Sequence, residues 1–567
     1  MGPRSEVINQ VIQFVLPSLT DPADLSAASL VCTAWYEADR ETREHVTVPL
    51  CYAAKPCGLS RRFPNLKSIR VKGRPLFEMS PRVPKSWGSF ATPWVNEIAI
   101  SKFSAVNSIR FKRIIITDLD LDVLSMALEK KLRTFELKSC SGFSSDGLFS
   151  VTKRCRKIEC LLLSRITLVE EKNGEWLHQV ALHNTTLKSL HCYQTAITKV
   201  SIEDLETIAT KCSTSLVSLK ISGFDLLRLQ GTLRLASVLE EFYGGAIVED
   251  GDPDDPYFNA AIYSFPPKMC HVGDFIGLSR KHVPIMYSFG RRLQTLDLFG
   301  AVLSNYSHCV ILSLIPNIET LKTTTCIADE GLDVLSRYCK KLKVLLLRPA
   351  SRHADLERYL VTDKGMIPVA TNCVRLESLT VCMMKLGNGT LLAVAKHLKD
   401  LKKFDVQILL TVSTQVDKPL DVGIRAVLSR CDKLTKLRLY LERGSVRDFG
   451  MCSIGEYGSS LRSINLNFVG DSDEGLHGLA KGCKKLQCLE LNKCLFSYRG
   501  IAIAVTMLPK LRYINVLAYE SAEREDLNLM AHPHWRIEFC PSLVELVAYG
   551  SVADELSDYP SQVVRFN

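Results

Sequence analysis

Five stretches of this chain repeat one spacing, and that repetition limits the fold more than any compositional value. Gly475, Cys483 and Leu486 stand at offsets 0, +8 and +11; the same offsets hold for Gly147, Cys155 and Ile158, and for Gly331, Cys339 and Leu342. They recur at Gly365, Cys373 and Leu376, and at Gly423, Cys431 and Leu434. Each copy closes with a phrase of type L-x-x-L-x-L, here Leu486, Leu489 and Leu491, whose last two leucines alternate with polar neighbours as a one-sided strand requires. Before it, Leu476, Leu479 and Ala480 show helical i, i+3, i+4 spacing. One unit is therefore a helix, a turn and a short strand.

No such unit buries its leucines alone, so neighbours must stack, with their strands lining a concave face. The predicted fold is an α/β leucine-rich-repeat solenoid, a horseshoe, over residues 51–567, preceded by an all-α segment over 1–50. A doubly wound α/β domain also alternates strand and helix, but with less uniform units. Strand phrases begin near Leu66, Val106, Leu132, Ile158, Leu187, Leu216 and Leu239, then near Leu293, Ile318, Leu342, Leu376, Leu401, Leu434, Leu461, Leu486, Leu511 and Leu543. The step is about 25 residues. Longer steps between Leu66 and Val106, between Leu239 and Leu293, and after Leu342, Leu401 and Leu511 mark insertions. The acidic run Glu249–Asp255 in the second reads as a solvated loop.

A length of 567 residues exceeds a usual single core, but a solenoid grows by addition. With 46% hydrophobic and 23% charged residues the chain is expected to fold. It has no apolar run of transmembrane length and no signal-peptide core near its start, which points to the cytosol or nucleus. Of its 20 cysteines, five hold the same repeat position and none forms a C-x-x-C pair. Buried free thiols account for them better than zinc or disulfides.

The first fifty residues follow another pattern. Ile8, Val11, Ile12, Val15 and Leu16 form an apolar helical stripe; Asp21-Pro22-Ala23-Asp24 then supplies a cap, a proline at the first helical position and an acid in the first turn. A second helix is expected through Leu25 and Leu30. The phrase Ser29-Leu30-Val31-Cys32-Thr33-Ala34-Trp35-Tyr36 resembles the second half of an F-box, the module that docks on the Skp adaptor of SCF ubiquitin ligases, although the usual Leu-Pro opening is absent. The resemblance implies adaptor contacts from Ile8, Val11, Ile12, Val15, Leu30, Val31 and Trp35. The plain alternative is a helical cap that covers the first repeat and binds nothing.

This segment, SRRFPNLKSIRVKGRP at Ser60–Pro75, Trp87-Gly88, Pro93-Trp94 and FKRIIITDLDLD at Phe111–Asp122 together resemble the plant hormone receptors of the auxin and jasmonate type. Cys140–Leu148, Glu175–Leu187 and Asp204–Cys212 favour the jasmonate, coronatine-insensitive, branch. The resemblance covers essentially the whole chain. It implies a solenoid that holds an inositol polyphosphate and whose top surface captures a small hormone together with a repressor's degron.

An anion site follows from the pattern itself. Residues between and flanking the last two apolar positions face inward, which places Arg70 and Lys72 on one strand and Arg110 and Lys112 on the next, with Arg74 and Arg113 close by. Lys403, Lys436 and Arg438 face the same way on later strands. Clustered like charge repels itself unless an anion neutralises it, and a polyphosphate supplies the acceptors. The net charge of +10 is equally that of a solvated basic surface. Nucleic acid is the rival anion, but no binding module for it is recognisable.

The hormone pocket departs from the family pattern. Jasmonate receptors hold the ligand carboxylate with arginines, and the corresponding positions here are Leu76, Leu346 and Asp405. Two leucines donate no hydrogen bond, and an aspartate repels a carboxylate. Cys382 replaces a pocket tyrosine, Tyr440 remains, and Phe77 and Met79 lie in the first insertion, where Phe77 is nearer the auxin-receptor pattern. Arg82 and Arg348 are the arginines placed to substitute. No Walker loop, H-E-x-x-H or RING-like constellation is present, so the expected role is non-catalytic: recruitment of a repressor-type protein to an SCF ligase with its Skp adaptor and cullin. A small-molecule sensor with an altered ligand and a scaffold that degrades nothing are the alternatives.

Overall fold

The computed structural model describes residues 12, 15–19, 22–49, 51, 54–73, 89–101, 103, 105–247, 263–349, 361–409, 419–511, 513–517 and 537–539. The chain divides into two compact units, Met1–Val248 with Ile262–Met269, and Glu249–Ala261 with Cys270–Asn567.

The first unit opens with helices. Helix Pro22–Ala28 starts on its proline and carries Asp24 in its first turn. It does not continue through Leu30. The Leu30 and Val31 amides donate to the Ala27 and Ala28 carbonyls, each at 3.1 Å, and these three-residue turns close the helix. Cys32 is then extended and starts a new helix, Thr33–Thr42. Ile12, Leu16, Ala28 and Ala38 form a small core, with Leu19, Leu25, Ala34 and Trp35 packed on it. Buried Asp39 holds Arg43 at 2.7 Å and Arg62 at 2.9 Å, tying the second helix to the start of the solenoid. His45–Val48, within the stretch expected to be helical, is strand β1. Its HVTV sequence has no leucine phrase to announce it.

The other strands of this unit are β2 Ser68–Lys72, β3 Ser108–Lys112, β4 Thr134–Lys138, β5 Cys160–Ser164, β6 Ser189–Tyr193, β7 Ser218–Ile221 and β8 Glu241–Tyr243. Each pairs in parallel with its neighbours in sequence, from β1–β2 through β7–β8. The second unit repeats the plan with β9 His271–Gly273, β10 Thr295–Asp297, β11 Thr320–Thr324, β12 Val344–Arg348, β13 Ser378–Met383 and β14 Lys403–Ile408. It continues with β15 Lys436–Tyr440, β16 Ser463–Asn467, β17 Cys488–Asn492, β18 Tyr513–Leu517 and β19 Ile537–Phe539. These too pair in parallel and in sequence order. This is the leucine-rich-repeat solenoid; a doubly wound sheet would break the order at a switch point.

Strands start two residues after the first leucine of each phrase, because that leucine ends the turn while the next two alternate into the core. In β17, Leu489 and Leu491 are buried, and Cys488 and Glu490 face the other way. The long step between Leu239 and Leu293 contains β9, a repeat with only Met269 and Val272 in place of leucines. Leu543 and the Glu249–Asp255 run lie outside the described residues. No helix among the described residues is long and apolar enough to cross a membrane.

The spacing that marks the repeats has a physical cause at both ends of each helix. At the start, an Asp or Asn of one repeat accepts from the next. Asp448 accepts from the Asp471 and Ser472 amides at 2.9 and 3.0 Å, Asp363 from the Gly387 amide at 3.0 Å, and Asn388 from the Gly423 amide at 2.9 Å. The repeat glycine stands against that residue. A Cβ on Gly475 would lie 3.0 Å from the Asp448 Cα, and one on Gly365 2.9 Å from the Asp329 Cα. At the helix end, the repeat cysteine donates back to carbonyls of the preceding repeat: Cys155 to Ser125, Cys339 to Leu312, Cys373 to Cys339, Cys431 to Leu398 and Cys483 to Ile454, at 3.4–3.8 Å. Most of these carbonyls already accept one backbone N–H, as Ile454 does from Gly458 at 2.8 Å, so the thiol occupies a second lone pair at the helix end. Burial pushes the Cys155, Cys339 and Cys483 thiols up to about 12, and those of Cys373 and Cys431 to about 11, so they stay protonated donors. Helices Asp448–Tyr457 and Asp473–Gly482 come closer still: a Cβ on Gly482 would lie 2.9 Å from the Gly455 Cα.

Candidate functional site

The alternation that buries Ile69, Val71, Ile109 and Phe111 turns Arg70, Lys72, Arg110 and Lys112 onto the inner face of the first unit. Parallel register sets Arg70 beside Arg110 and Lys72 beside Lys112, and carries the lysine row on to Lys138, which the sequence reading overlooked. Strands stand about 4.8 Å apart, so the three ammonium groups share one short stretch of wall. Arg113 follows directly, in a left-handed conformation with φ 55°.

The two rows differ in charge balance. Arg110 is paired with Glu136 at 3.6 Å, which neutralises part of the arginine row. Among the described residues, Lys72, Lys112 and Lys138 have no ion pair. Burial first, then Arg70 and Arg113, pulls the Lys72 pKa below the usual ammonium range. Burial, then Arg113, Lys138 and Lys72, does the same at Lys112, against a smaller opposing effect of Glu136. A surface that disfavours its own charge in this way has a place for an anion.

The second unit treats its charges differently. Asp405, 5% exposed on β14, lies 3.3 Å from the Lys403 ammonium and 3.9 Å from the Arg438 guanidinium. Lys403 also donates to the Thr380 hydroxyl at 2.9 Å. Lys403, expected as an anion ligand, is paired with Asp405 and stays partly exposed. Asp405, expected as a bare repulsive charge, is compensated. The register places Thr380, Asp405 and Arg438 side by side across β13–β15, a relation invisible in sequence spacing. Lys436 stands beside Lys403 and is exposed.

Leu346 is half-buried on the inner face of β12. Arg348, two positions on, points the same way and stacks over the Phe299 ring at 4.7 Å. Cys382 is buried, its thiol pushed up to about 12 by burial and then by Asp405. Gln407 connects it in register to Tyr440, and that row continues through Asn467 to Asn492. Sequence reasoning missed these asparagines, for which the only signal was their even spacing along the strands. Arg74, Leu76, Phe77, Met79 and Arg82 lie outside the described residues, as do Ile8 and Val11.

At the N-terminal helices the candidate adaptor residues separate into two groups. Ile12 and Trp35 pack within the module's own core. Val15, Leu30 and Val31 face outward at 40%, 85% and 64% exposure. Leu30 and Val31 owe this to the turn that interrupts the expected helix.

Among the described residues, no group of three or more His, Cys, Asp or Glu side chains could hold a metal ion. Residues 4–45 match the F-box family model, and residues 64–111 match that of the transport inhibitor response 1 protein domain. The chain is 41% identical to coronatine-insensitive protein 1 of Arabidopsis thaliana, over 98% of this chain and 96% of that protein. It is 37% identical to coronatine-insensitive protein homolog 1b of Oryza sativa subsp. japonica, over 99% and 96%. GRR1-like protein 1 of Arabidopsis thaliana is 30% identical, over 86% and 82%. With its F-box, its solenoid and this near-complete coverage, the chain belongs to the coronatine-insensitive family of plant F-box leucine-rich-repeat proteins, non-catalytic substrate-recognition subunits of SCF-type ubiquitin ligases.

Proposed function

We propose that this chain recruits a repressor-type protein to an SCF ligase for ubiquitination and proteasomal degradation, in the nucleus or cytoplasm, with Val15, Leu30 and Val31 in its contact with the Skp adaptor. The exposure of these three apolar side chains within the F-box match is the observation that carries the reading, since an isolated cap gains nothing by presenting them to water. Removing residues 1–50 should abolish co-purification of adaptor and cullin while the solenoid stays soluble. Retention of both would refute docking through this segment, and failure of the intact chain to capture either would leave the scaffold reading.

An inositol polyphosphate is the anion that best suits the Lys72–Lys112–Lys138 row, Arg70 and Arg113. The Asp405-paired Lys403 and Arg438 favour a sensor whose ligand differs from jasmonoyl-isoleucine. Loss of one buried arginine–carboxylate pair typically costs about 2–5 kcal/mol. That is roughly thirtyfold to several thousandfold in affinity. Ligand-dependent pulldown of a jasmonate-repressor degron tests this. Capture at hormone concentrations that suffice for an arginine-bearing relative refutes it, and rescue by Leu76→Arg, Leu346→Arg and Asp405→Arg together supports it.

A further inference from the structure

Helix Thr33–Thr42 passes into β1 through Arg43 and Glu44 alone. Both sides of this short joint are held. The Glu44 carbonyl accepts from the Lys67 and Ser68 amides at 2.8 and 3.0 Å, and β1 then pairs with β2 over its whole length. On the helix side, Asp39 offers its carboxylate oxygens to separate elements: one accepts from Arg43 Nε at 2.8 Å, the other from Arg62 at 2.9 Å. Arg62 ends helix Leu59–Arg62, which leads into the first leucine phrase. Its other terminal nitrogen donates to the Tyr36 carbonyl at 3.0 Å, and its guanidinium carbon lies 3.4 Å from the Tyr36 ring centre and 4.8 Å from that of Phe63. Asn65 adds a bond to the Glu41 carbonyl at 3.0 Å.

A buried ion pair adds little net stability over an apolar contact of the same shape. Its gain here is direction. The edge and the face of one planar guanidinium are both engaged by the F-box helix, which leaves one orientation between that helix and the first repeats. We infer that Arg62 is a positioning residue: acting through Asp39 and Tyr36, it fixes the angle between F-box module and solenoid, and thereby selects which lysines ubiquitin reaches. In each transfer a lysine amine attacks the thioester of a ubiquitin-charged conjugating enzyme; an isopeptide bond forms, the C–S bond breaks, and the departing thiolate takes the proton the amine gives up. The rate at any one lysine follows from how often its amine is held near that thioester, and a joint that swings spreads the chance over more of them. The inference rests on the ligase part of the function proposed above.

The test uses the full chain assembled with its Skp adaptor, cullin and a ubiquitin-charged conjugating enzyme, with the chain's own lysines as acceptors. Mass spectrometry maps the modified sites, and single-turnover kinetics gives the rate at each. Arg62→Ala should leave adaptor affinity unchanged, lower the rate at the preferred lysines about tenfold, and extend modification to lysines untouched in the unmodified chain. Arg62→Lys keeps a charge beside Asp39 but neither the second nitrogen nor the flat face, so it should show the same spread with hydrogen exchange in β3–β8 unaltered. An unchanged pattern and rate in either folded variant overturns the inference, as does a change confined to adaptor affinity or the absence of any modification in the unmodified chain. Arg62→Lys decides where the alanine variant fails to fold. Capture of adaptor and cullin by the unmodified chain reports separately on the ligase reading: with capture and no dependence on Arg62, only the present inference falls; without capture, both do.

Discussion

Gly482→Ala should destabilise this protein, whereas Gly389→Ala should not, although both glycines lie in helices of the same kind. In an open helix, alanine is better than glycine by about 0.8–1.0 kcal/mol. At Gly389 an added Cβ meets only the Ile367 Cδ1, at 3.4 Å, so the substitution should stabilise by a few tenths to about 1 kcal/mol. At Gly482 the Cβ would stand 2.9 Å from the Gly455 Cα, with that residue's carbonyl nearer still. Carbon atoms prefer about 3.5–4.0 Å, so the two helices must part by more than half an ångström, and no side chain can move aside. Overpacking of this kind costs about 1–3 kcal/mol. After the propensity gain is subtracted, a net loss of up to about 2 kcal/mol remains. A repeat protein of this length need not unfold in one step, so local hydrogen exchange is the suitable assay. Amides of helices Asp448–Tyr457 and Asp473–Gly482 should exchange faster in Gly482→Ala, by up to about thirtyfold. Equal or slower exchange there would show that the close approach of the two helices carries no constraint.

Three further outcomes are expected. Leu30→Asp with Val31→Asp should weaken adaptor capture at least tenfold without altering solenoid stability, read by pulldown and hydrogen exchange. Freshly purified, adaptor-bound chain should carry a polyphosphate in native mass spectrometry, and Lys112→Gln with Lys138→Gln should remove it, because charge-assisted phosphate contacts contribute about 1.5–3 kcal/mol each. Burial lowers the His308 pKa from 6.5 to about 4, so the folded chain holds this histidine neutral while the unfolded chain protonates it. The stability it contributes is present above pH 6.5 and declines as pH falls toward 4, by roughly 3 kcal/mol in all, and His308→Gln should flatten a stability-against-pH curve in that window.

The repeat plan was legible because leucine spacing reports directly on which side chains enter the core; strand starts followed from it without adjustment. β1, β9 and β19 were not, since HVTV, HVG and IEF carry too few apolar positions to fix a period. The inner-face lysines of β2 and β3 were readable from strand parity alone. The pairing of Asp405 with Lys403 and Arg438 was not, because it depends on register between strands separated by whole repeats. The Asp-x-Gly pairs at Asp329, Asp363, Asp421, Asp448 and Asp473 were visible in the chain, but only the structure connects such an aspartate to the glycine of the following repeat.

The bonds that join one repeat to the next run in a fixed direction. Asp448 already stands in place when Ser472 arrives, and Cys483 then adds a second donor to the Ile454 carbonyl near the end of the helix that preceded it. Each newly made repeat is thus received by a finished neighbour, while the most recent one always ends unsealed. Such a chain is suited to being completed in the order of its synthesis, amino terminus first, at the pace of the ribosome. Interrupting translation within the solenoid would leave a folded stub with one sticky rim, a surface that quality-control factors recognise.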